Sequence, residues 1–386
     1  MVNLLPTILY SCMMGMTIFA LFEAFNRPKV RQNMFLKGLL LLLLIHIAGE
    51  LFIYSGAYVY APALAGTQFP FRVLLGPVFY FYAHATMSPD KAIDKSLVAI
   101  TVSGPILVVL AMIPFMFFIS PAEKLALATP ATRDPELWKI AVYTCLITTT
   151  LFISFTLIFL AMAFKLHNRH LQQLMERFSD IEQRAMDWFK PVLIIWGAIW
   201  LMYAVEFALG ALGWRWFGSG KLLPIVEVIA LAIFIQKALA QKILKQSDKS
   251  APRLSKPGQS RAAILSDEKM QEVASKLESA MQTEQLFLQD NLSLNKLSES
   301  ISETENHISE TLSQFLHTNF FQFVNSFRVE AAKTALQETN KLVTNIALDV
   351  GFNSKSTFNT AFKKIVGHSP SAYRNLQTEN KQSSAS

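Results

Sequence analysis

The chain has 386 residues, of which 52% are hydrophobic, 12% aromatic and only 16% charged; its net charge is +7 and its mean hydropathy +0.32. These values exclude an ordinary soluble globular protein, in which about a quarter of the residues are charged. The two cysteines, Cys12 and Cys145, both lie in apolar runs. They provide neither a disulfide framework nor a zinc-ligand spacing, and we predict no cofactor and no metal.

The hydrophobic residues are concentrated in the first 240 positions, in segments that approach the roughly 20 residues a membrane-spanning helix needs. We therefore predict an all-α protein in which residues 1–240 form a seven-span transmembrane sensor or anchor domain. The predicted spans are Leu4 to Ala24, Phe35 to Tyr60, Phe69 to Met87, Leu97 to Ser120, Leu137 to Phe164, Val192 to Gly213 and Leu222 to Ala240.

Lysine and arginine in the short loops predict the orientation of these spans, because cationic loops are retained on the cytoplasmic side. The loops after spans one, three and five hold 11 such residues, and the opposite loops hold 5. We predict a multi-pass protein of the bacterial cytoplasmic membrane, with the N-terminus outside and the C-terminus in the cytoplasm. The basic run from Lys237 to Arg261 agrees with this; attraction to lipid headgroups explains it, and direct contact with DNA is the alternative.

The cytoplasmic loop between spans five and six, Lys165 to Lys190, has helical periodicity. Its apolar stripe consists of Leu171, Leu174, Phe178, Ile181 and Ala185. This pattern predicts that span five continues as a helix into the cytoplasm, where it could touch the soluble domain. A helix lying on the lipid headgroups is the alternative interpretation.

Ionisable residues inside spans are costly and usually face the interior of a helix bundle. In the predicted orientation, Glu50, Arg72, Glu206 and Glu227 all fall at mid-membrane or in the outer half. We hypothesise that this cluster binds an external or membrane-dissolved ligand; buried Glu–Arg pairs that fix helix packing are the alternative. The candidate ligand-sensing residues are His46, Glu50, Tyr54, Arg72, Tyr203, Glu206 and Glu227.

A composition rich in serine, proline and glycine marks residues 241–263 as a flexible basic linker, because such a segment neither packs nor propagates a helix. A cytoplasmic domain is predicted at 264–376, followed by a disordered tail at 377–386. Its first helix, within 264–289, has an apolar face that packs on its own domain or forms a dimer seam. That face consists of Met270, Val273, Leu277, Ala280 and Met281.

The cytoplasmic domain contains a weak internal duplication. Leu297 and Ile301 align with Ile346 and Val350 at an offset of 49, and later positions align at an offset of 50. The repeat predicts two copies of a helix, a tight turn and a second helix. Gly351 falls at the turn of the second copy, where a residue without a Cβ permits positive φ. His317 of the first copy aligns with Gly367 of the second at the offset of 50, so a left-handed conformation at His317 would carry a cost.

Hydroxyl, amide and cationic side chains on the second helix of each copy can reach phosphates and base edges in a major groove. In the second copy these candidates are Asn353, Ser354, Lys355, Ser356, Thr357, Asn359, Thr360, Lys363 and Lys364. In the first copy they are Asn306, His307, Ser309, Glu310 and Ser313, with Glu310 accepting from cytosine.

The two copies differ in charge. Residues 266–319 have a net charge of −7, whereas residues 320–376 have a net charge of +4. We expect the second copy to carry most of the affinity for phosphates, because an acidic surface loses the gain from counterion release. The first copy either makes selective base contacts or has a mainly structural role.

Residues 290–376 resemble the tandem helix-turn-helix domain of the AraC/XylS family of transcription regulators. The residues that carry the resemblance are Arg328, Ala332, Ile346, Ala347, Gly351, Phe352, Ser354, Ser356, Phe358, Phe362, Lys363, Lys364, Gly367, Pro370, Tyr373 and Arg374. The resemblance implies seven helices, with a linker helix at about Phe320 to Leu336 that holds two reading heads in successive major grooves. By architecture alone, it extends to a subgroup in which several membrane helices precede this domain.

The function predicted is that of a membrane-embedded, one-component transcriptional regulator, not an enzyme. Its predicted partners are double-stranded promoter DNA, the lipid bilayer, RNA polymerase, a second copy in a homodimer, and a small ligand or membrane protein as the signal. In the alternative, the membrane half only anchors the protein or docks a partner. A remote alternative is an intramembrane metal hydrolase that uses His46 and Glu50, although no second pair completes a metal site. A transporter is disfavoured, because the sequence has no inverted repeat.

Overall fold

The computed structural model describes residues 3–89, 91–181, 184–211, 220–241 and 265–383. These residues form helices and short turns, with one isolated antiparallel bridge and no strand within the described ranges, as predicted. They form two compact units. Unit 1 contains residues 1–168 and 187–244, and unit 2 contains residues 169–186 and 245–386. The predicted linker lies outside the described residues except for Gln241.

Unit 1 is built from long apolar helices. They are α1 (Leu4–Phe25), α2 (Arg31–Tyr54), α3 (Phe69–Arg72), α4 (Leu75–Met87), α5 (Lys95–Phe117), α6 (Pro121–Leu127), α7 (Pro135–Met175), α8 (Phe189–Ala211) and α9 (Leu222–Ala240). Among the described residues, six helices are long and apolar enough to cross a membrane: α1, α2, α5, α7, α8 and α9. The division between the two units falls within α7.

The second and third predicted spans differ from the structure. The second span ends at Tyr54 and gives way to a short 3-10 turn at Ala57–Val59, instead of continuing to Tyr60. The third is divided into α3 and α4, of which α4 has only 13 residues, about 20 Å of helix. Pro77 explains the division: in one continuous helix its ring would clash with the carbonyl group of Val73.

The core of unit 1 is aromatic. The ring of Phe79 on α4 stacks on Phe189 and Trp196 of α8, at centroid distances of 5.3 and 5.0 Å, and contacts Phe234 of α9 at 5.8 Å. Large apolar side chains also cover the outside of this unit, including Phe22 at 68% exposed. An apolar surface of this kind is typical of lipid or protein contact.

Unit 2 contains seven α-helices among its described residues. They are α10 (Asp267–Gln282), α11 (Leu294–Ile301), α12 (Glu305–Glu310), α13 (Phe320–Glu338), α14 (Val343–Asp349), α15 (Lys355–Val366) and α16 (Pro370–Ser383). The apolar stripe of α10 is buried in its own domain, which agrees with the first of the two interpretations of this stripe. Helix α16 continues to Ser383, so residues 377–383 are helical where the sequence predicted a disordered tail.

Helix α13 contributes to both hydrophobic cores of unit 2. Its first half, including Phe320 and Val324, packs in the core that α10, α11 and α12 share. Its second half, including Val329 and Leu336, packs against α14, α15 and α16. Because one rigid helix belongs to both cores, it holds the two helix-turn-helix copies in one arrangement, as predicted for the linker helix.

Candidate functional site

The two helix-turn-helix copies are formed by α11 with α12 and by α14 with α15. In each copy a hydroxyl side chain caps the second helix: Thr304 Oγ1 accepts from the His307 amide, and Ser354 Oγ accepts from the Thr357 amide. The turn of the first copy passes through Ser302 at φ 53°, and the turn of the second through Gly351 at φ 90°. Since left-handed φ favours glycine, the second turn is formed at lower cost.

Gly351 is also required by close packing. A Cβ atom on this residue would lie 2.6 Å from the carbonyl oxygen of Phe287 and 2.9 Å from that of Leu288. The Phe287 oxygen also accepts a hydrogen bond from Arg328 Nε at 2.7 Å. The turn of the second copy therefore rests directly on the segment that precedes the first copy.

Helix α15 buries Phe358, Ala361 and Phe362 and turns its other side to solvent. The exposed candidates for DNA contact are Asn353, Lys355, Ser356, Thr360, Lys363 and Lys364. Asn359 and Thr357 are half-buried, and the Thr357 hydroxyl lies 3.1 Å from that of Ser354. Ser354 and Thr357 thus stabilise the start of the helix, and Asn353 donates to Asp180 and Asp290, while the exposed side chains of α15 itself remain available to a ligand.

The first copy offers fewer free side chains. Asn306 and Ser313 are exposed and Ser309 is half-buried, but His307 Nδ1 lies 3.1 Å from Glu303 Oε2, and Glu310 Oε1 accepts from the Leu265 amide at 3.3 Å. Glu310 therefore accepts a hydrogen bond from the backbone of its own domain just before α10, which weighs against the predicted contact between Glu310 and cytosine. Helix α12 passes into a π-helical turn at Thr311–Phe315, a feature that was not predicted.

Part of the negative charge of the first copy is neutralised inside unit 2. Glu303 is only 7% exposed and lies 3.0 Å from Lys269 Nζ and 2.7 Å from Lys276 Nζ. Hydrogen bonds from Lys276, His307 and Lys269 lower the pKa of Glu303 to about 2. This carboxylate holds α10 to the first copy, so it does not belong to a surface that meets DNA.

Arg328 on α13 is fully buried. Its guanidinium donates to the carbonyl oxygens of Phe287 and Gln289, each at 2.7 Å, and to Asn325 Oδ1 at 3.2 Å. Burial lowers its pKa to about 10, so it stays charged at neutral pH. Burying this charge is tolerated because the guanidinium N–H groups meet oxygen acceptors.

A loop segment from another part of the sequence completes the Arg328 site. We name residues 177–180 the docked segment; they follow the end of α7 at Met175. Ser179 is 1% exposed; its amide and hydroxyl both donate to Leu292 O, at 3.2 and 2.7 Å, and its hydroxyl oxygen accepts from Arg328 Nη2 at 3.2 Å. Asp180 Oδ2 accepts from Asn353 Nδ2 at 2.6 Å, next to the start of α15.

The helical stripe predicted for residues 165–190 is correct only in its first part. The helical continuation of span five is confirmed as far as Met175, but Phe178, Ile181 and Ala185 lie beyond its end. Phe178 instead forms an antiparallel bridge with Ser293, and the Leu294 amide donates to Arg177 O at 2.9 Å. Backbone pairing with a distant segment replaces the helix there, and helical periodicity cannot reveal such a partner.

In unit 1, six of the seven candidate ligand-sensing residues line one cavity of about 220 Å³. They come from α2, α3, α8 and α9, although they are far apart in the sequence. The lining residues are Tyr10, Glu50, Tyr54, Arg72, Tyr203, Glu206, Phe207, Gly220, Leu223 and Glu227. Tyr10 also lines the cavity but was not among the predicted residues. Its phenol is a polar group within an apolar run, and this feature of the sequence could have indicated it.

Contacts within the cavity divide its charged groups into two sets. Arg72 pairs with Glu50 at 3.4 Å and lies over the ring of Tyr203, 4.3 Å from its centroid. Glu227 accepts from the Tyr10 hydroxyl at 2.8 Å, and Glu206 accepts from the Gly220 amide at 2.6 Å. Neither Glu206 nor Glu227 forms an ion pair with a described residue.

His46 does not line this cavity. It lies beside Trp200, with 5.6 Å between ring centroids, and its Nδ1 is 4.0 Å from Glu50 Oε1. Within the described ranges, no group of three or more His, Cys, Asp or Glu side chains is placed to hold a metal ion. The remote metal-hydrolase interpretation gains no support from this arrangement.

Comparison with known proteins places similarity in the C-terminal part of the chain. Residues 297–376 match a helix-turn-helix domain family. A Staphylococcus aureus protein named as an uncharacterized HTH-type transcriptional regulator is 36% identical over 127 residues, which are 32% of this chain and 16% of that protein. The melibiose operon regulatory protein of Escherichia coli strain K12 is 30% identical over 91 residues, 24% of this chain and 30% of that protein.

A solved structure is also similar to part of the chain. It is the C-terminal domain of AraT, a response regulator from Geobacillus stearothermophilus, with 27% identity and a TM-score of 0.25. The match covers 29% of this chain and 88% of that one. All three similarities cover less than a third of this chain, and the alignments span 16% and 30% of the two curated relatives.

Proposed function

We propose that this chain, whose residues 297–376 are a helix-turn-helix domain of the AraC type, is a membrane-embedded transcriptional regulator. One observation carries the proposal: the same chain contains this domain and six described helices long and apolar enough to cross a membrane. Promoter DNA and the lipid bilayer are then its obligatory partners. RNA polymerase and a second copy of the chain are further proposed partners.

The DNA contacts proposed for the second copy come from the exposed side of α15. Lys355, Lys363 and Lys364 supply cations for the phosphates, while Ser356, Asn359 and Thr360 offer hydrogen-bonding groups for base edges. Asn306 and Ser313 are the corresponding groups that the first copy leaves exposed. This division favours a first copy that adds selectivity and a second copy that supplies most of the affinity.

Hydrogen bonds within unit 1 support seven crossings in the predicted orientation. At one end, Arg27 Nη2 donates to Leu239 O, and Arg31 Nη1 donates to Lys91 O at 2.5 Å. At the other end, the Asn3 amide donates to Tyr54 O at 3.0 Å. The chain therefore returns to the basic end after α4, which favours α3 and α4 together as one crossing. The basic end is the one we assign to the cytoplasm.

Contacts within unit 2 support the same topology independently. The docked segment precedes α8 and α9 in the chain, and it packs on the DNA-binding domain that follows them. Two crossings between these segments return the chain to its starting side of the membrane. The loop after α7 and the DNA-binding domain are then both cytoplasmic.

The cavity of unit 1 is the proposed site for the signal. Glu206 and Glu227 are carboxyl groups without an ion-pair partner among the described residues, and the rings of Tyr10 and Tyr54, which line the same cavity, stack at a centroid distance of 5.5 Å. Carboxylates together with aromatic faces favour a small organic cation, since both attract positive charge. The Glu50–Arg72 pair would hold α2 and α3 together, as in the structural alternative for this cluster.

Two measurements on the full-length protein in lipid nanodiscs test this function. DNA occupancy across the genome should show discrete promoter sites, and occupancy lost in the Lys363→Gln, Lys364→Gln variant assigns the contact to α15. Thermal stability should rise with small organic cations and not with their neutral isosteres of equal size. Glu206→Gln and Glu227→Gln should abolish the rise, while Glu136→Gln, an exposed carboxylate 78% accessible, is the matched control.

The alternative, in which the membrane half only anchors the protein, makes the opposite prediction for the second measurement. Discrete promoter occupancy combined with no stabilisation by any cation, anion or neutral compound would favour the anchor. Transcription that keeps its full response to a signal in the Glu50→Gln and Glu206→Gln variants would remove the cavity from the mechanism.

A further inference from the structure

The docked segment lies against the surface from which the second copy would read DNA. Asp180 Oδ2 accepts from Asn353 Nδ2, and the same amide also donates to Asp290 O at 3.3 Å. Asn353 immediately precedes Ser354, the residue that caps the start of α15. The start of a helix attracts anions such as phosphate, because its free amides and dipole present positive charge. The carboxylate of Asp180 already lies next to the start of α15.

The contact has one buried part, at Ser179, and one part beside an open cavity, at Asp180. Ser179 is held in the buried part by Leu292 O, by Arg328 and by Asn325 Nδ2, which donates to Ser179 O at 3.4 Å. Beside Asp180 lies a cavity of about 330 Å³. Charged side chains line it, including Arg177, Arg184, Lys296 and Glu305. If the docked segment leaves, water in such a cavity can replace the hydrogen bonds of Asp180 at low cost. Arg328, in contrast, would lose hydrogen-bond partners in a buried site, where their loss costs more.

We propose that the docked segment is an internal competitor of DNA. While Ser179 is bound at Arg328, Asp180 holds Asn353 and places a negative charge where a phosphate would approach. When the segment leaves, Asn353 and the start of α15 become available. The segment is covalently joined to α7 at one end and, through residues 181–188, to α8 at the other, so rearrangement of these helices has a direct route to the DNA-binding domain.

This inference adds a regulatory surface to the proposed function and depends on that function for its DNA ligand. It requires neither a particular signal nor a particular operator. The surface consists of the backbone of residues 292–294, the buried pair Asn325 and Arg328, and Asn353. Its partner is a short extended segment with a small hydroxyl residue followed by a carboxylate.

A reversible disulfide can test the proposal. Phe178 and Ser293 face each other in an antiparallel bridge, and opposed residues of this kind have Cα separations suited to a disulfide. The full-length protein would carry Phe178→Cys and Ser293→Cys, with Cys12 and Cys145 replaced by alanine. After oxidation with copper phenanthroline in nanodiscs, its affinity for DNA is measured by fluorescence anisotropy. The probe is a duplex selected from a random library on the reduced protein.

The oxidised protein should bind this duplex at least about fivefold more weakly than the reduced protein, as expected when one like charge opposes a phosphate contact. A reductant should restore the affinity. Asp180→Asn in the same background should weaken the effect of oxidation, whereas Glu176→Gln, which removes an exposed carboxylate four residues earlier, should not. The reduced form of each variant controls for changes that the substitutions themselves cause.

Each other outcome is decisive. Failure of the disulfide to form shows that the segment does not dock in the membrane-bound protein, and equal affinities of the oxidised and reduced forms show that docking does not oppose DNA. Both overturn the inference and leave the proposed function intact. If the library yields no duplex that binds the reduced protein, the DNA-binding function itself fails, and the competitor proposal falls with it.

Discussion

The two helix-turn-helix copies of unit 2 share one topology but reach it with different residues. In the second copy, glycine occupies both positions with left-handed φ, Gly351 and Gly367, whereas Ser302 and His317 adopt this conformation in the first copy. The second copy presents cations on its outer side, and the first uses Glu303 to bind α10. The first copy is thus adapted to packing within its domain, and the second to contact with a ligand.

This difference shows how a duplicated motif can divide its tasks. Buried apolar positions are common to both copies, since each second helix needs one apolar face: Ile308 and Leu312 in the first, Phe358 and Phe362 in the second. The polar face is under no such constraint. In the first copy this face carries Glu310, which accepts a hydrogen bond from the backbone of its own domain. In the second copy it carries lysines.

The largest effect is expected from Arg328, whose guanidinium donates to the segment before the first copy and lies over the ring of Phe352 in the second. Arg328→Met should lower the free energy of unfolding of unit 2 by about 3–5 kcal/mol, because it leaves buried carbonyl oxygens without donors. Native-state hydrogen exchange of α13 amides measures this loss. Lys333→Met on the same helix, where Lys333 pairs with Glu330 at the surface, should change stability by less than about 0.5 kcal/mol. Equal losses in the two variants would contradict a special role for the buried guanidinium.

Within the second copy, an added Cβ should cost more stability at Gly351 than at Gly367. Gly351→Ala combines unfavourable φ with a clash against Phe287 O and should cost about 3 kcal/mol. Gly367→Ala has equally positive φ but no atom within 4 Å of the added Cβ, so it should cost only about 1–2 kcal/mol. Hydrogen exchange of α14 and α15 amides measures both. If the two substitutions cost the same, the close approach at Gly351 has no energetic weight.

The charge difference between the copies should be visible in the salt dependence of DNA binding. Removing two phosphate contacts through Lys363→Gln and Lys364→Gln should reduce the slope of log affinity against log salt by about 1.8 and weaken binding about tenfold or more. Ser313→Ala and Gln314→Ala occupy the corresponding positions of the first copy and should leave the slope unchanged. A slope that falls only with the first-copy substitutions would reverse the proposed division. Anisotropy titrations at several salt concentrations provide the slopes.

The smallest effect concerns Glu303. Its folded pKa of about 2 lies below the usual value of 4.5, so its contribution to stability is present above about pH 4.5 and is lost as the pH falls towards 2. Glu303→Gln should therefore destabilise the first copy at neutral pH by about 1 kcal/mol and flatten this part of its pH profile. Hydrogen exchange of α11 and α12 amides, followed across this range, compares it with Glu299→Gln. An unchanged profile in Glu303→Gln would show that the lysine contacts of Glu303 do not stabilise the fold.

The helical fold was determined largely by the local sequence. The apolar runs of unit 1 place six long helices, and the fixed spacing of apolar and turn residues in unit 2 predicts the tandem copies and the linker helix. Even the prediction of the third span as one helix was wrong for a local reason, since Pro77 interrupts a run that is apolar enough to form one helix. Hydrophobic periodicity and turn chemistry act over a few residues, so a single sequence displays them directly.

Tertiary structure alone decided which distant residues meet. Composition could propose that Glu50, Arg72, Glu206 and Glu227 face inward, but only helix packing brings them to one cavity and separates His46 from it. Ser179 and Asp180 carried no pattern that distinguished them from any polar loop, and their partners lie more than 100 residues away in the chain. Contacts of this kind depend on the path of the whole backbone and leave no periodic trace in the sequence.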